Sequence, residues 1–193
     1  MPRRANLDID IDTRGLDDLL LLRSRDAKRV IAKALTATAK TGKTKAARQI
    51  GRSYGLRSTA VREHLIAFRA RREDLRANIV AFGGPLKLAK AAKGVRQTKR
   101  GVRANAWGER ELYKGTFIAT MASGHRGVFK RATRGGLRVG RLPVRELFGP
   151  GVSDALADPE IHTPLREELT ADAAKKVGRE IDRELRRQAG KNR

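Results

Sequence analysis

An alternation of period two is the feature that most constrains this chain. Across Thr116–Met121, Phe117, Ala119 and Met121 fall on one side while Thr116, Ile118 and Thr120 fall on the other. That is the pattern of a half-buried β-strand. Ser123-Gly124-His125-Arg126-Gly127 then brackets a short loop with glycines, and Val128-Phe129 resumes an extended run, as in a hairpin with a glycine-bearing loop. Leu142-Pro143-Val144 is extended again, because a residue before proline is pushed out of the helical region. Phe148-Gly149-Pro150-Gly151 closes the stretch. Gly115–Pro150 thus reads as a β-hairpin, a basic loop and a third extended segment, and the rest of the chain must pack on that small antiparallel sheet.

The flanks read as helices. In Asp26–Ile50 the residues Ala27, Val30, Ile31, Ala34, Leu35, Thr38, Ala46 and Ile50 recur at three- and four-residue spacing, which marks one buried face. Lys28, Arg29, Lys33, Lys40, Lys43 and Lys45 fall mostly off that stripe. They form either a solvated face or a cationic rail against an acidic partner. Near the C-terminus, Thr163-Pro164 offers a cap and a first-turn proline, and Leu165, Leu169, Ala173, Val177, Ile181 and Leu185 follow every fourth residue. A four-residue repeat drifts slowly around a 3.6-residue helix. Early acids and late arginines on this segment suit the helix dipole. Ser153–Ala157 reads as a separate helical turn ended near Pro159, and Leu16–Leu22 begins helical structure.

Charge narrows the partners. The 193-residue chain carries 44 Lys and Arg against 21 Asp and Glu, a net +23 with pI ≈ 11.4, so an acidic or polyanionic neighbour is expected. Residues 23–150 hold 32 basic and 7 acidic side chains, or +25, leaving −2 for the two ends together. Only 4% of residues are aromatic, so the core must be Leu, Ile, Val and Ala. Without cysteine there is no disulfide framework or thiolate metal site, which suits the cytoplasm. No apolar run is long enough to span a membrane, and the N-terminus lacks an export signal's apolar core.

Two blocks in order, FIATMASGHRGVFKR at Phe117–Arg131 and RLPVRELFGP at Arg141–Pro150, resemble the minor tail protein Z family of long-tailed bacteriophages and prophages. Elsewhere the resemblance is one of layout only, and the glycine- and arginine-rich Thr133–Gly140 loop does not map onto the family. The resemblance implies a structural virion protein, made in the host cytoplasm, that completes the head-proximal end of the tail for joining to the head. It implies neither enzymatic activity nor a cofactor. A ring of identical subunits, sixfold to match the tail, would meet tail terminator or tube proteins and head–tail connector proteins, and the DNA end in the channel.

Other motifs carry competing readings. Ile50–Leu65 resembles a helix-turn-helix, and the alternative function is a DNA-binding protein that reads DNA through residues 55–65, with Arg57, Ser58, Thr59 and Arg62 facing the major groove. The plainer reading is two helices joined by a Gly55 C-cap, with Ser58 capping the second. Asp8-x-Asp10-x-Asp12 suggests a calcium loop, but Thr13 and Leu19 stand where glycine and glutamate are needed; Leu7–Asp12 reads as a strand with an acidic outer face. Gly42-Lys43-Thr44 ends like a phosphate-binding loop, yet Ala37 replaces the required earlier glycine. Ala67–Phe82 reads as a helix end or a strand. Gly101–Trp107 and Glu109–Tyr113 read as paired strands around Gly108, with Trp107 a core anchor or a subunit contact. His64, His125 and His162 share no metal spacing, and His125 suits a turn hydrogen bond. Glu63, Glu73, Asp74, Glu109, Glu111 and Glu146 read as structural partners of nearby arginines.

These readings combine into an α+β fold. A body over 1–152 holds the sheet, the Asp26–Ile50 helix and an extended basic arm at about 84–103, and a helical segment follows over 153–193. Lys87, Lys90, Lys93, Arg96, Lys99, Arg100, Arg103, Lys130 and Arg131 are the expected contacts to a polyanion or acidic partner. Phe117, Ile118, Met121, Val128, Phe129, Leu147, Phe148, Leu169, Val177, Ile181 and Leu185 are the expected subunit contacts.

Overall fold

The structure is a computed structural model that describes residues 4–9, 24–134, 137–138 and 143–191. The Leu16–Leu22 segment, Asp10–Asp12 and part of the Thr133–Gly140 loop lie outside the described residues. In chain order the elements are β1 (Ala5–Ile9), α1 (Ser24–Ser53), α2 (Ser58–Glu63), β2 (Leu65–Phe68), β3 (Ala77–Ala81), β4 (Pro85–Lys87), α3 (Leu88–Ala91), β5 (Lys93–Thr98), β6 (Gly101–Ala106), β7 (Glu109–Lys114), β8 (Thr116–Thr120), β9 (Arg126–Arg131), β10 (Thr133–Arg134), β11 (Leu137–Arg138), β12 (Val144–Glu146), β13 (Phe148–Gly151), α4 (Val152–Ala157) and α5 (Pro159–Lys191). The fold is mixed α+β, with two long helices and small antiparallel sheets. It forms two compact units. A helix-pair unit contains Arg4–Ala46, Leu65–Ala81 and Leu156–Arg193, and a hairpin unit contains Met1–Arg3, Ala47–His64 and Phe82–Ala155.

In the helix-pair unit, the α5 stripe is consumed inside the fold. Ile161, Leu165, Leu169, Ala173, Val177 and Ile181 are all buried, as are Val30, Ile31, Ala34, Leu35, Thr38 and Ala46 on α1. Beside the stripe runs a ladder of cations and carboxylates in four-residue steps, rising on α1 and falling on α5. Arg29 meets Glu184 at 2.8 Å and Lys33 meets Glu180 at 2.6 Å. Lys176 Nζ donates to the Ala37 carbonyl and to Thr41 Oγ1. Lys45 pairs with Asp172 and, at 2.7 Å, with Glu168. The ladder shows that the two helices run antiparallel. Each fully buried Leu, Ile or Val contributes about 1.5–3 kcal/mol, whereas an exposed ion pair contributes about 0.2–1 kcal/mol. The stripe therefore holds the helices together and the ladder fixes their register.

The helix start differs from the Thr163-Pro164 expectation. Asp158 Oδ1 accepts the Glu160 N–H at 3.0 Å and Pro159 occupies the first position. The same cap-and-proline chemistry acts one turn earlier, where Ile161 extends the stripe, and Pro164 lies inside the helix. β1, β3 and β2 form a three-stranded antiparallel sheet in that order. Leu7, Ile9, Leu65 and Ile79 are buried on it, while Asn6, Asp8, Ile66 and Phe68 are exposed. The Leu7–Asp12 expectation thus holds over its described part, and Ala67–Phe82 supplies two strands. Gly42 sits where a methyl group would come within 2.8 Å of both Ile79 Cδ1 and Leu169 Cδ1. It is a packing glycine in the middle of α1, with no role as a phosphate loop.

In the hairpin unit, Leu88, Ala92, Val102, Ala104, Ala106 and Val128 form a buried cluster, with Val95, Tyr113, Ile118 and Leu147 packed against it. The expected hairpin and third segment are present as the sheet β12-β9-β8, with Phe117 opposite Phe129 and Ile118 opposite Val128. A second sheet, β5-β6-β7, contains the expected strand pair around Gly108. The expected extended basic arm, at about 84–103, contains regular elements. Residues 85–98 fold as a strand, a helical turn and a second strand, because Leu86, Leu88, Ala91 and Ala92 are buried between the lysines. At the α1–α2 junction Gly55 is left-handed (φ +63°) as expected, but Arg57 occupies the N-cap of α2 without a side-chain bond.

Two outcomes follow from the helix pair. Gly42→Ala should lower stability, since overpacking costs about 1–3 kcal/mol and the gain in helix propensity returns at most about 1 kcal/mol. Gly178→Ala, which meets nothing within 4 Å, should raise stability by about 0.5–1 kcal/mol; urea midpoints of the two variants compare them directly. The Lys45 hydrogen bond holds the Asp172 carboxyl below its ordinary value of 3.8, and the Asp172 and Glu168 bonds raise Lys45 above 10.5. The pair therefore stabilises the fold fully between those two ordinary values. Its contribution is lost as pH falls through the depressed Asp172 value or rises through the elevated Lys45 value. Asp172→Asn should be less stable than the parent at pH 7, with the gap closing in acid, as read from denaturation midpoints across pH.

Candidate functional site

The strongest charge is on the hairpin unit, whose ranges hold 21 basic and 5 acidic side chains, or +16, against 23 and 16, or +7, for the helix-pair unit. Strand register concentrates it. On β5 and β6, Arg96 lies directly opposite Arg103, and on β9 and β12, Lys130 lies opposite Arg145. Like charges placed opposite across strands are destabilising, so both pairs cost the fold energy that its other contacts must offset. Lys99 and Arg100 form the exposed turn joining β5 to β6. Among the described residues Arg96, Lys99, Arg100, Arg103 and Lys130 have no side-chain ion partner. The remaining expected contacts are engaged. Lys90 pairs with Glu63 at 2.7 Å, Lys93 Nζ donates to the Gly51 carbonyl, Lys87 lies 3.9 Å from Glu146, and Arg131 stacks 4.9 Å over Phe117.

A cleft of about 290 Å³ adds Arg57 and Arg126 beside Lys90, over Ala89, Val95 and Ile118. Sequence reasoning placed Arg57 on a DNA reader and gave Arg126 to a loop; nothing in their spacing signals that they share a cleft. The reader itself is short. α2 has six residues, with Ala60 and Val61 buried, and the chain passes through His64 straight into β2. Fewer than two turns are left to enter a major groove, and His64 is tied to the Ala60 carbonyl and packs on Phe82.

The expected subunit contacts separate by burial. Val128, Phe129, Leu169, Val177 and Ile181 are buried within the chain, so their side chains hold the fold itself. Phe117, Ile118, Met121, Leu147 and Leu185 are half-buried, and Phe148 is 50% exposed. Trp107 is 60% exposed, which removes the core-anchor reading and leaves that of a subunit contact. It forms a two-residue β6–β7 turn with Gly108, both left-handed at φ +63° and +88°. Turns of that kind favour Asn-Gly, and a large aromatic there is strained.

His125 is joined to a carboxylate, Nε2 lying 2.7 Å from Glu146 Oε1, with Lys87 Nζ at 3.5 Å and the Phe129 ring edge-on. Glu146 thus serves histidine and lysine, and Glu63 serves Lys90, where arginine partners were expected. Burial raises the Tyr113 hydroxyl above its ordinary value. Among the described residues no group of three His, Asp or Glu side chains could hold a metal, and no helix is long and apolar enough to cross a membrane.

Comparison with curated proteins and with solved structures finds no match. The family described as prophage minor tail protein Z (GPZ) matches residues 14–191, taking in both halves of the Phe117–Pro150 signature, α1, the basic sheets and the C-terminal helix. The chain belongs to the prophage minor tail protein Z family and is a structural protein of a phage tail.

Proposed function

We propose that this tail protein completes the head-proximal end of a long phage tail, as a ring of identical copies, and makes that end competent to join the head. The observation that carries this reading is the set of opposed, unpartnered cations on the hairpin unit. A fold that keeps Arg96 against Arg103 and Lys130 against Arg145 is held in a form that an acidic surface stabilises. Tail terminator, tube or connector proteins would supply that surface, and the DNA end in the channel is the other polyanion within reach of such a face. A closed ring uses the same head-to-tail contact at every joint, so each copy needs two unlike patches. The half-buried residues around the hairpin, Phe117, Ile118, Met121 and Leu147, with the exposed Phe148, form one, and Leu185 on α5 marks the other.

In a phage lacking its own copy of the gene, the parent chain should restore joined particles. Arg96→Glu combined with Arg103→Glu should fold normally yet reduce joined particles by about tenfold or more, the effect of losing about 1.4 kcal/mol at a contact. Full restoration by that variant, counted in electron micrographs, would remove the basic face from the mechanism. Trp107→Asn separates folding from contact. Asn-Gly suits the turn better than Trp-Gly, so the melting temperature should hold or rise by a few degrees. Particle joining should nevertheless fall, and unchanged joining would strip Trp107 of its contact role.

A further inference from the structure

The β1-β3-β2 sheet has two open edges, since among the described residues each outer strand is paired on one side only. Phe82 N donates to the His64 carbonyl at 3.0 Å, so residues 64 and 82 are a hydrogen-bonded pair, and the register runs on through Leu65↔Ala81 and Ile66↔Val80. Bonded and unbonded pairs alternate along an antiparallel ladder. Ile66 and Phe68 therefore bond β3, while Leu65 and Ala67 turn their N–H and C=O groups outward. The same alternation commits Ala77, Ile79 and Ala81 to Ile9, Leu7 and Ala5. Asn6 and Asp8 then present their main chains at the opposite edge.

We infer that β2 of one copy adds in parallel to β1 of the next, so that the sheet continues from subunit to subunit. β1 and β2 are both antiparallel to β3 and so run the same way, as repetition about an axis along the strands requires. With Ala67 opposite Leu7 of the next copy, its N–H reaches the Asn6 carbonyl and its C=O accepts the Asp8 N–H, the slanted pattern of a parallel pair. Faces agree in this register. Ala67 joins Leu7 on the packed side, while Ile66 falls beside Asn6 and Phe68 beside Asp8 on the outer side.

Charge agrees as well. In this register Ile9 falls beside Arg69, which brings the exposed Asp8 toward the exposed Arg69, Arg71 and Arg72 that follow β2. Ile66 and Phe68, 43% and 50% exposed on an edge strand, are the apolar, uncharged kind that edges normally avoid unless something covers them. The inference rests on the ring reading and adds a main-chain pairing to the side-chain patches proposed for its joints.

The chain has no cysteine, which makes the test clean. Between copies Asn6→Cys and Ile66→Cys would face each other about 4.8 Å apart, within disulfide reach. Within one copy they stand two strand spacings apart, about 9.6 Å, beyond that reach. Mild oxidation of the double variant, free and in purified tails, should give a ladder of covalent oligomers ending at the closed ring, while each single variant stops at dimers. Ala67→Pro removes an outward N–H and no bond to β3. It should raise the concentration for half-assembly by about tenfold or more with an unchanged circular dichroism spectrum. A double variant that stops at dimers, or an Ala67→Pro chain that assembles like the parent, overturns the edge contact and leaves the ring standing. A parent chain that is monomeric at every concentration and in tails overturns the ring reading itself.

Discussion

The antiparallel seam between α1 and α5 commits four of the chain's 21 carboxylates to ion pairs between the helices. Glu168, Asp172, Glu180 and Glu184 all reach cations of α1, alongside a stripe in which Leu165, Leu169, Val177 and Ile181 are buried. Removing the stripe would cost several times what removing the ladder would. The ladder's larger consequence concerns the rest of the molecule: carboxylates committed here cannot neutralise cations elsewhere. Three members of the cationic rail expected along α1, Arg29, Lys33 and Lys45, meet acidic partners on the chain's own C-terminal helix.

The hairpin unit is left with its charge largely uncompensated, and its sheets make this worse by stacking like charges. The fold can carry it because the penalties are modest. A cross-strand like-charge pair costs about 0.2–1 kcal/mol, less than one buried leucine contributes. Gly101, Gly55 and Gly108 show how tightly this unit is nonetheless built, since a Cβ on any of them would meet a neighbouring atom within 2.7 Å. A rigid scaffold holding repelling cations is preorganised for an acidic surface, because little side-chain or loop ordering remains to oppose binding.

How much was legible in the sequence follows from the range of the signal. The Thr116–Met121 alternation and the four-residue repeat of α5 are local: the first folds as β8 over Thr116–Thr120, and the second is buried from Leu165 to Ile181, with Leu185 half-buried. The elements within residues 85–98 are not legible because Leu86, Leu88, Ala91 and Ala92 stand singly or in pairs among lysines, too few for any periodic window. Their burial depends on β6, β9 and β13, which arrive later in the chain. The two units are invisible for a related reason: their boundary at Ala46 falls inside α1, where the helical pattern continues unbroken. The opposition of Arg96 to Arg103 is a matter of register, and register is set by a turn and by packing on the far face, not by either residue.

Main-chain pairing and charge contacts also differ in what they answer to. Screening acts over about 10 Å at 0.1 M salt, so contacts made by Arg96, Arg103 and Lys130 weaken as ionic strength rises, whereas hydrogen bonds along a strand edge and the covering of Ile66 and Phe68 do not depend on it in that way. Under the edge pairing inferred for β1 and β2, the joints between copies draw mainly on backbone and apolar surface, with the Asp8 pairing as a minor part. The hairpin unit's cations then stay free for a different partner. One chain with a large net positive charge can in this way assemble with itself, which uniform charge would oppose, and still keep a strongly basic face for an acidic surface. The separation is possible because the α1–α5 ladder lowers the charge of the unit that carries the open edges and leaves the other unit basic.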